Sequence, residues 1–321
     1  MKVTNVTRLR EFLLMGLPDD QVLQTLYVTF FFLIYLAALM GNLLIVTLTS
    51  TDQHLQSPMY FFLKNLALID ICYISVIVPK SIINSLTKSH SISFMGCASQ
   101  IFLFIFFAGT EYALLIVMSY DRYVAICQPL YYEAIMNRGT RWQMVTAAWS
   151  SGCVYGSIHV AGTFSVRFCG PYVVHHFYCD VPSLLTLACP GEHMLEYAFM
   201  IASCTLASVC FLFLIAFYIY IFSAVLRIPA ARGRFKSFST CIPHLAVVTL
   251  FLFSGIVTYL GTGYKSASSL NLFMSVLYTM VPPSLNPLIY SLRNKAVKAA
   301  LGKILLLKFF CLKHMHYLEN Y

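Results

Sequence analysis

Charge is what this chain has least of. Only 10% of its 321 residues are Asp, Glu, Lys or Arg, while 59% are hydrophobic; an ordinary soluble domain is about 25% charged. A soluble fold could not hide that much apolar surface, so the composition excludes one. No internal repeat or low-complexity segment stands out. A secondary transporter would more often show inverted repeats and broken helices in matching halves. His and Cys are scattered, without the spacing of a nucleophile–base pair or a metal site. The N-terminal half has neither HExxH nor GxSxG, so nothing indicates an enzyme. The polar stretch Met1–Asp20 lacks the basic, apolar and small-residue zones of a signal peptide.

What the chain does have is a series of long apolar runs, each exceeding the roughly 20 residues that cross a bilayer. No charged residue lies between Asp20 and Asp52, which sets a first span near Leu23–Ser50. The others are expected at Pro58–Leu86, Phe94–Ile126, Thr140–Ser165, Glu196–Leu226, Phe235–Leu260 and Leu270–Leu292. Seven spans put the two termini on opposite sides. The expected fold is an all-α membrane protein: a seven-transmembrane helix bundle over residues 23–292, an outer segment 1–22, and an inner tail 293–321. In the tail, Arg293–Lys308 mixes apolar residues with a Lys every three to five positions, the pattern of an amphipathic helix lying on the membrane surface. Cys311 is either a palmitoylation site or an unmodified thiol.

The net charge of +9 points first to nucleic acid or anionic lipid, and its placement decides between them. With the N-terminus outside, 14 Lys and Arg fall on inner segments and 7 on outer ones. That favours an extracellular N-terminus by the positive-inside rule, although Lys2, Arg8 and Arg10 before the first span argue the other way. The excess positive charge then faces inner-leaflet lipid and an intracellular partner, so nucleic acid is not required. The sequon Asn5-Val6-Thr7, the only one in the chain, fits an N-glycosylated outer terminus.

Four cysteines, Cys97, Cys169, Cys179 and Cys189, fall at the outer end of the third span and in the long loop after the fourth, where an oxidising compartment favours two disulfides. Three pairings are open. His175, His176 and Cys179 could alternatively hold a metal. Within the spans, Asp70 and Glu111 are the two deep carboxylates, and such groups usually face the bundle interior. Asn286-Pro287 places a helix breaker in the seventh span, where freed backbone groups need partners. His244, near the inner end of the sixth span, is either a pH-sensitive contact or a structural hydrogen bond. Asp121 and Arg122 sit at the water-facing end of the third span, where a paired charge is tolerated and movement of the surrounding helices can release it.

Several blocks resemble one family. MSYDRYVAIC (Met118–Cys127) is similar to the DRY region of class A G-protein-coupled receptors and, in its longer form, to the olfactory receptor branch. PMYFFL (Pro58–Leu63), KSFSTC with His244-Leu245 (from Lys236), and PSLNPLIYSLRN (Pro283–Asn294) resemble that branch too, in the right order along the whole chain. The resemblance implies a plasma-membrane receptor that binds small, volatile, mostly apolar odorants and activates a stimulatory heterotrimeric G protein, raising cAMP. It implies no cofactor. It favours the pairings Cys97–Cys179 and Cys169–Cys189.

The family's pocket lies in the outer half of the bundle. Counting along the helices assigns Phe104, Ile105, Ala108, Gly109, Ala202, Ser203, Leu206, Gly255, Ile256, Tyr259, Val276 and Thr279 to it. None of these is charged, which argues against amine transmitters, and the seventh span has no Lys for a retinal Schiff base. For coupling and switching the resemblance implies Asp121, Arg122, Tyr123, Tyr218, Asn286, Pro287 and Tyr290. Asp70, Glu111 and Asn286, with Asn42, could hold a sodium ion as similar receptors do; a hydrogen-bonded carboxyl pair is the alternative. A non-olfactory class A receptor is the closest rival reading and a transporter a more distant one. The chain departs from the family pattern at Ser119, Phe217, Pro243 and Leu252-Phe253, the last removing a hydroxyl from the pocket floor.

Overall fold

A computed structural model describes residues 11–15, 20–87, 89–192, 194–227, 231–260 and 269–293 of the chain. Asn5, Cys311 and the expected surface helix after Arg293 lie outside them. The long helices are α1 (Gln21–Thr51), α2 (Pro58–Thr87), α3 (Phe94–Cys127), α5 (Arg138–Ser165), α7 (Met194–Leu226), α8 (Ala231–Leu260) and α9 (Ser269–Arg293), with short α4 (Tyr132–Ile135) and α6 (Val181–Leu185) between them. Each long helix stands on an expected span, and most limits agree closely; α8 starts further upstream than the apolar run suggested. The starts follow from capping. Asp20, Ser93 and Asn137 accept hydrogen bonds from the backbone N–H groups of Leu23, Gly96 and Thr140, satisfying donors that a helix start leaves free.

α1, α2, α3 and α7 are long and apolar enough to cross a membrane, and α8 carries a shorter apolar stretch at His244–Leu260. α3 is the central element, packed on α2, α5 and α7. Its approach to α5 is close because Gly152 and Gly156 face it. A Cβ on Gly152 would collide with the Phe106 carbonyl and Thr110, and one on Gly156 would press on the Phe102 carbonyl. Small residues spaced by four are how helices pack tightly where lipid supplies no hydrophobic drive.

α9 contains Pro282, Pro283 and Pro287. A proline has no N–H, so the carbonyl four residues earlier loses its helical partner. Pro287 thereby frees the Pro283 carbonyl, which accepts from Asn42 Nδ2 at 2.9 Å. Pro282 frees the Tyr278 carbonyl, which accepts from the Tyr73 hydroxyl at 3.3 Å. The side chains of α1 and α2 thus replace bonds that α9 cannot make, and in doing so tie three helices together.

The all-α expectation misses one small element. A three-stranded sheet caps one end of the bundle, in the order β2 (Ser91–Ser93), β1 (Glu11–Leu14), β3 (Val173–Val174). β1 pairs antiparallel with β2 and parallel with β3. Its Phe12 and Leu14 are buried while Glu11 and Leu13 are exposed, the alternation of a half-covered strand. Two disulfides lie at this end: Cys97–Cys179 joins α3 to the loop, and Cys169–Cys189 closes a clip within it.

Candidate functional site

A cavity of about 380 Å³ opens between α3, α5, α7, α8 and α9. Of the residues placed at the pocket from the sequence, Ile105, Ala108, Gly109, Ser203, Leu206, Gly255, Ile256 and Tyr259 line it. Leu206 sits at its rim, 65% exposed. The other four are elsewhere. Phe104 is enclosed by the rings of Tyr73, Tyr178 and Tyr278 at 5.2, 5.3 and 5.7 Å. Ala202 is exposed on α7. Val276 lines a separate apolar groove between α1 and α9. Thr279 is buried and donates to the Ser275 carbonyl. Leu252, at a departure from the family pattern, does line the cavity, whereas Phe253 points away and is 56% exposed.

α5 was not among the expected pocket helices, yet it supplies Gly152, Tyr155 and His159. These recur at i, i+3 and i+7, one helical face of small and polar residues in an apolar span, and that spacing was the available signal. His159 is the most consequential. It is 1% exposed, its Nδ1 lies 2.7 Å from Glu196 Oε1, and its Nε2 lies 3.3 Å from Ser203 Oγ. The Tyr155 ring stands edge-on to the imidazole at 4.7 Å. The cavity wall therefore includes a histidine paired with a buried carboxyl, although none of the candidates drawn from the sequence is charged.

The loop carrying Cys179 forms a firm lid. Gln100 on α3 donates to the Val76 carbonyl and accepts from the Cys179 N–H at 2.9 Å, and Ser81 on α2 donates to the Phe177 carbonyl. His176 Nε2 lies 2.7 Å from Ser275 Oγ on α9. Burial holds the His176 imidazole below its ordinary pKa and pushes the Asp180 carboxyl up. Among the described residues no group of three metal-ligating side chains occurs, and Cys179 is spent in a disulfide; the metal alternative for His175, His176 and Cys179 has no support.

Deeper in the bundle, Asp70 on α2, Glu111 on α3 and Asn286 on α9 meet, all at 1% exposure or less. Asn286 Nδ2 donates to Asp70 Oδ2 and to Glu111 Oε1, each at 3.1 Å, with Asp70 Oδ1 at 3.3 Å. Glu111 Oε2, Asn286 Oδ1 and Asn42 Oδ1 have no hydrogen-bond partner.

At the opposite end from the lid, Arg122 pairs with Asp121 at 3.4 Å. Asp121 is 1% exposed and also accepts from the Tyr132 hydroxyl of α4 at 2.8 Å, while a quarter of the Arg122 side chain is exposed. Tyr123 packs on Phe217, ring centroids 5.4 Å apart, so the phenylalanine at this departure fills the gap between α3 and α7. The Tyr218 hydroxyl lies 2.5 Å from His244 Nδ1, a buried link between α7 and α8. His244 thus has the structural hydrogen bond that was one of its two readings. Pro287 sits in the crossing of α9 with α1, where a Cβ on Gly41 would strike its ring. Tyr290 lies in the last turns of α9, and its side chain is outside the described residues.

A family model described as "Olfactory receptor" matches residues 31–308. The chain is 51% identical to human olfactory receptor 14L1 over 299 residues, covering 93% of this chain and 92% of that one. It is 50% identical to human olfactory receptor 14J1 over 303 residues, covering 94% of each. To human olfactory receptor 14A16 it is 48% identical, covering 94% of this chain and 98% of that one.

Proposed function

The chain belongs to the olfactory receptor family of class A G-protein-coupled receptors, and from that premise we propose an odorant receptor coupled to a stimulatory G protein. It is a multi-pass membrane receptor and not an enzyme. The observation that carries the ligand reading is the cavity: about 380 Å³, walled by residues such as Ile105, Ala108, Leu206, Gly255 and Ile256. That volume lies within the usual range for small-molecule sites, which bind by apolar burial and orient with a few polar groups. A small, weakly polar, volatile molecule fits this description.

In this reading the receptor sits in the plasma membrane with its N-terminus outside and glycosylated at Asn5, and its basic end faces the inner leaflet. Ligand binding shifts the population toward a state in which the inner end of α8 has moved outward. The Asp121–Arg122 pair at 3.4 Å then opens, and Arg122 meets the G protein. The Tyr218–His244 bond between α7 and α8 must change in the same movement. Tyr123, Asn286, Pro287 and Tyr290 take part in the switch. The cluster of Asp70, Glu111 and Asn286 holds a sodium ion in the resting state, a role supported by the buried, unpartnered oxygens of Glu111 and Asn286.

The test is a cAMP assay in cells expressing the chain, run against a broad odorant panel with surface staining of the N-terminus. A dose-dependent rise that Arg122→Ala reduces to background, at equal surface staining, is the expected result. A normal response from Arg122→Ala refutes the switch, and a well-delivered receptor that never raises cAMP refutes the coupling.

A further inference from the structure

The cavity has a single strongly polar pole, and its hydrogen-bonding sense follows from charge neutrality. His159 and Glu196 are each 1% exposed, Glu196 in the first turn of α7 and His159 on the adjoining part of α5. A net charge held there is expensive, so a buried pair persists as a neutral whole. Among the described residues no Lys or Arg pairs with Glu196, and its Oε2 has no hydrogen-bond partner. That oxygen fills the space beside Gly162, where a Cβ would overlap it.

Three arrangements of the 2.7 Å contact between His159 Nδ1 and Glu196 Oε1 are neutral overall, but one of them, with the acid proton on Glu196 Oε2, buries a hydroxyl that has no acceptor, which leaves two. In one, a carboxylate accepts from Nδ1–H of an imidazolium. In the other, a carboxylic acid donates to a bare Nδ1 of a neutral imidazole. Both leave a hydrogen on Nε2, because the imidazolium carries two N–H groups and the neutral ring with a bare Nδ1 carries its hydrogen on Nε2. His159 lines the cavity, and the partner of its Nε2 in the structure is the Oγ of another wall residue, Ser203, at 3.3 Å, long for a hydrogen bond. A ligand oxygen can replace that bond at small cost.

We propose that His159 Nε2–H is the anchor of the ligand site, set as a donor by Glu196, and that the receptor selects carbonyl compounds (aldehydes, ketones and esters) over hydrocarbons of the same shape. The rest of the wall is apolar apart from serine and tyrosine hydroxyls and two thiols, and among the described residues it holds no second imidazole and no charged side chain, so one acceptor oxygen on an apolar skeleton matches what the cavity offers. Glu196 is a positioning residue and touches no ligand. The proposal rests on the reading of this cavity as the ligand site.

The experiment measures binding and signalling separately. Purified full-length receptor is screened by ligand-induced thermal stabilisation against carbonyl compounds of six to ten carbons, each matched to the alkane of the same skeleton. The cAMP assay repeats the panel in cells. The best carbonyl ligand should bind about tenfold more tightly than its alkane, the worth of one hydrogen bond. His159→Gln, which keeps an N–H at this position, should preserve the preference. His159→Met/Glu196→Met, which leaves no orphaned carboxyl, should erase it while the alkane still binds. Equal binding of carbonyl and alkane by the unaltered receptor overturns the proposal, as does an unchanged preference in the double variant or a panel in which no carbonyl binds. Carbonyl binding without a cAMP rise leaves the anchor standing and overturns the coupling instead.

Discussion

Two buried clusters in this bundle contain carboxyl groups, one in the first and two in the second, and they differ in what surrounds them. Glu196 and His159 join α5 to α7 beside a cavity, and His159 and Ser203 form part of the cavity wall. Asp70, Glu111 and Asn286 join α2, α3 and α9, and none of the three lines either cavity described here. The first cluster supplies its own counter-group, since a histidine can balance one carboxyl. The second has two carboxyls and one amide, whose two hydrogens are spread over three oxygens, and no basic side chain pairs with it among the described residues. Similar residues therefore sit in different settings: the self-balanced pair borders a cavity, while the pair short of cations ties three helices together.

The contrast is tested most severely at Asn286. Asn286→Leu removes the amide donor from two carboxyls that are wholly buried. The expected loss is about 3 kcal/mol, read as a large fall in the unfolding temperature of purified receptor; a loss under about 1 kcal/mol would mean the cluster is not a structural tie. A smaller effect concerns the ion. Replacing choline by sodium at ten times the dissociation constant should stabilise the receptor by about 1.4 kcal/mol. That gain should vanish in Asp70→Asn and survive in Glu196→Gln; its presence in Asp70→Asn would move the ion elsewhere. Smallest of all is Glu196→Gln itself. The amide can still pair with His159 Nδ1, and the cluster borders a cavity, so a stability change below about 1 kcal/mol is expected. A collapse comparable to Asn286→Leu would erase the distinction between the two clusters.

The spans are legible in the sequence because a membrane helix announces itself locally. Each needs only an apolar run of sufficient length with caps such as Asp20 and Asn137 at its ends. The cavity is less legible because a wall is a relation between helices. Counting turns from Arg122 finds the α3 face that carries Ile105, Ala108 and Gly109, yet it also selects Phe104, which Tyr73, Tyr178 and Tyr278 enclose instead. Val276 fails similarly, since the rotation of α9 turns it toward α1. His159 escapes because a lone histidine in an apolar run gives no local hint of Glu196, 37 positions later. β1 escapes because four alternating residues are too short a pattern to separate from a polar terminus.

That strand gives the protein a timetable. β1 leaves the ribosome first, but one neighbour, β3, lies about 160 residues downstream. At a synthesis rate of about 5–20 residues per second, Leu13 waits on the order of 8–30 seconds for Val173 to exist. During that interval Phe12, wholly buried in the finished cap against Phe94, Phe168 and Tyr172, lacks most of its enclosure. The cap closes only after the fourth span has been inserted, so a chain stalled before that point shows quality-control factors an uncovered aromatic strand.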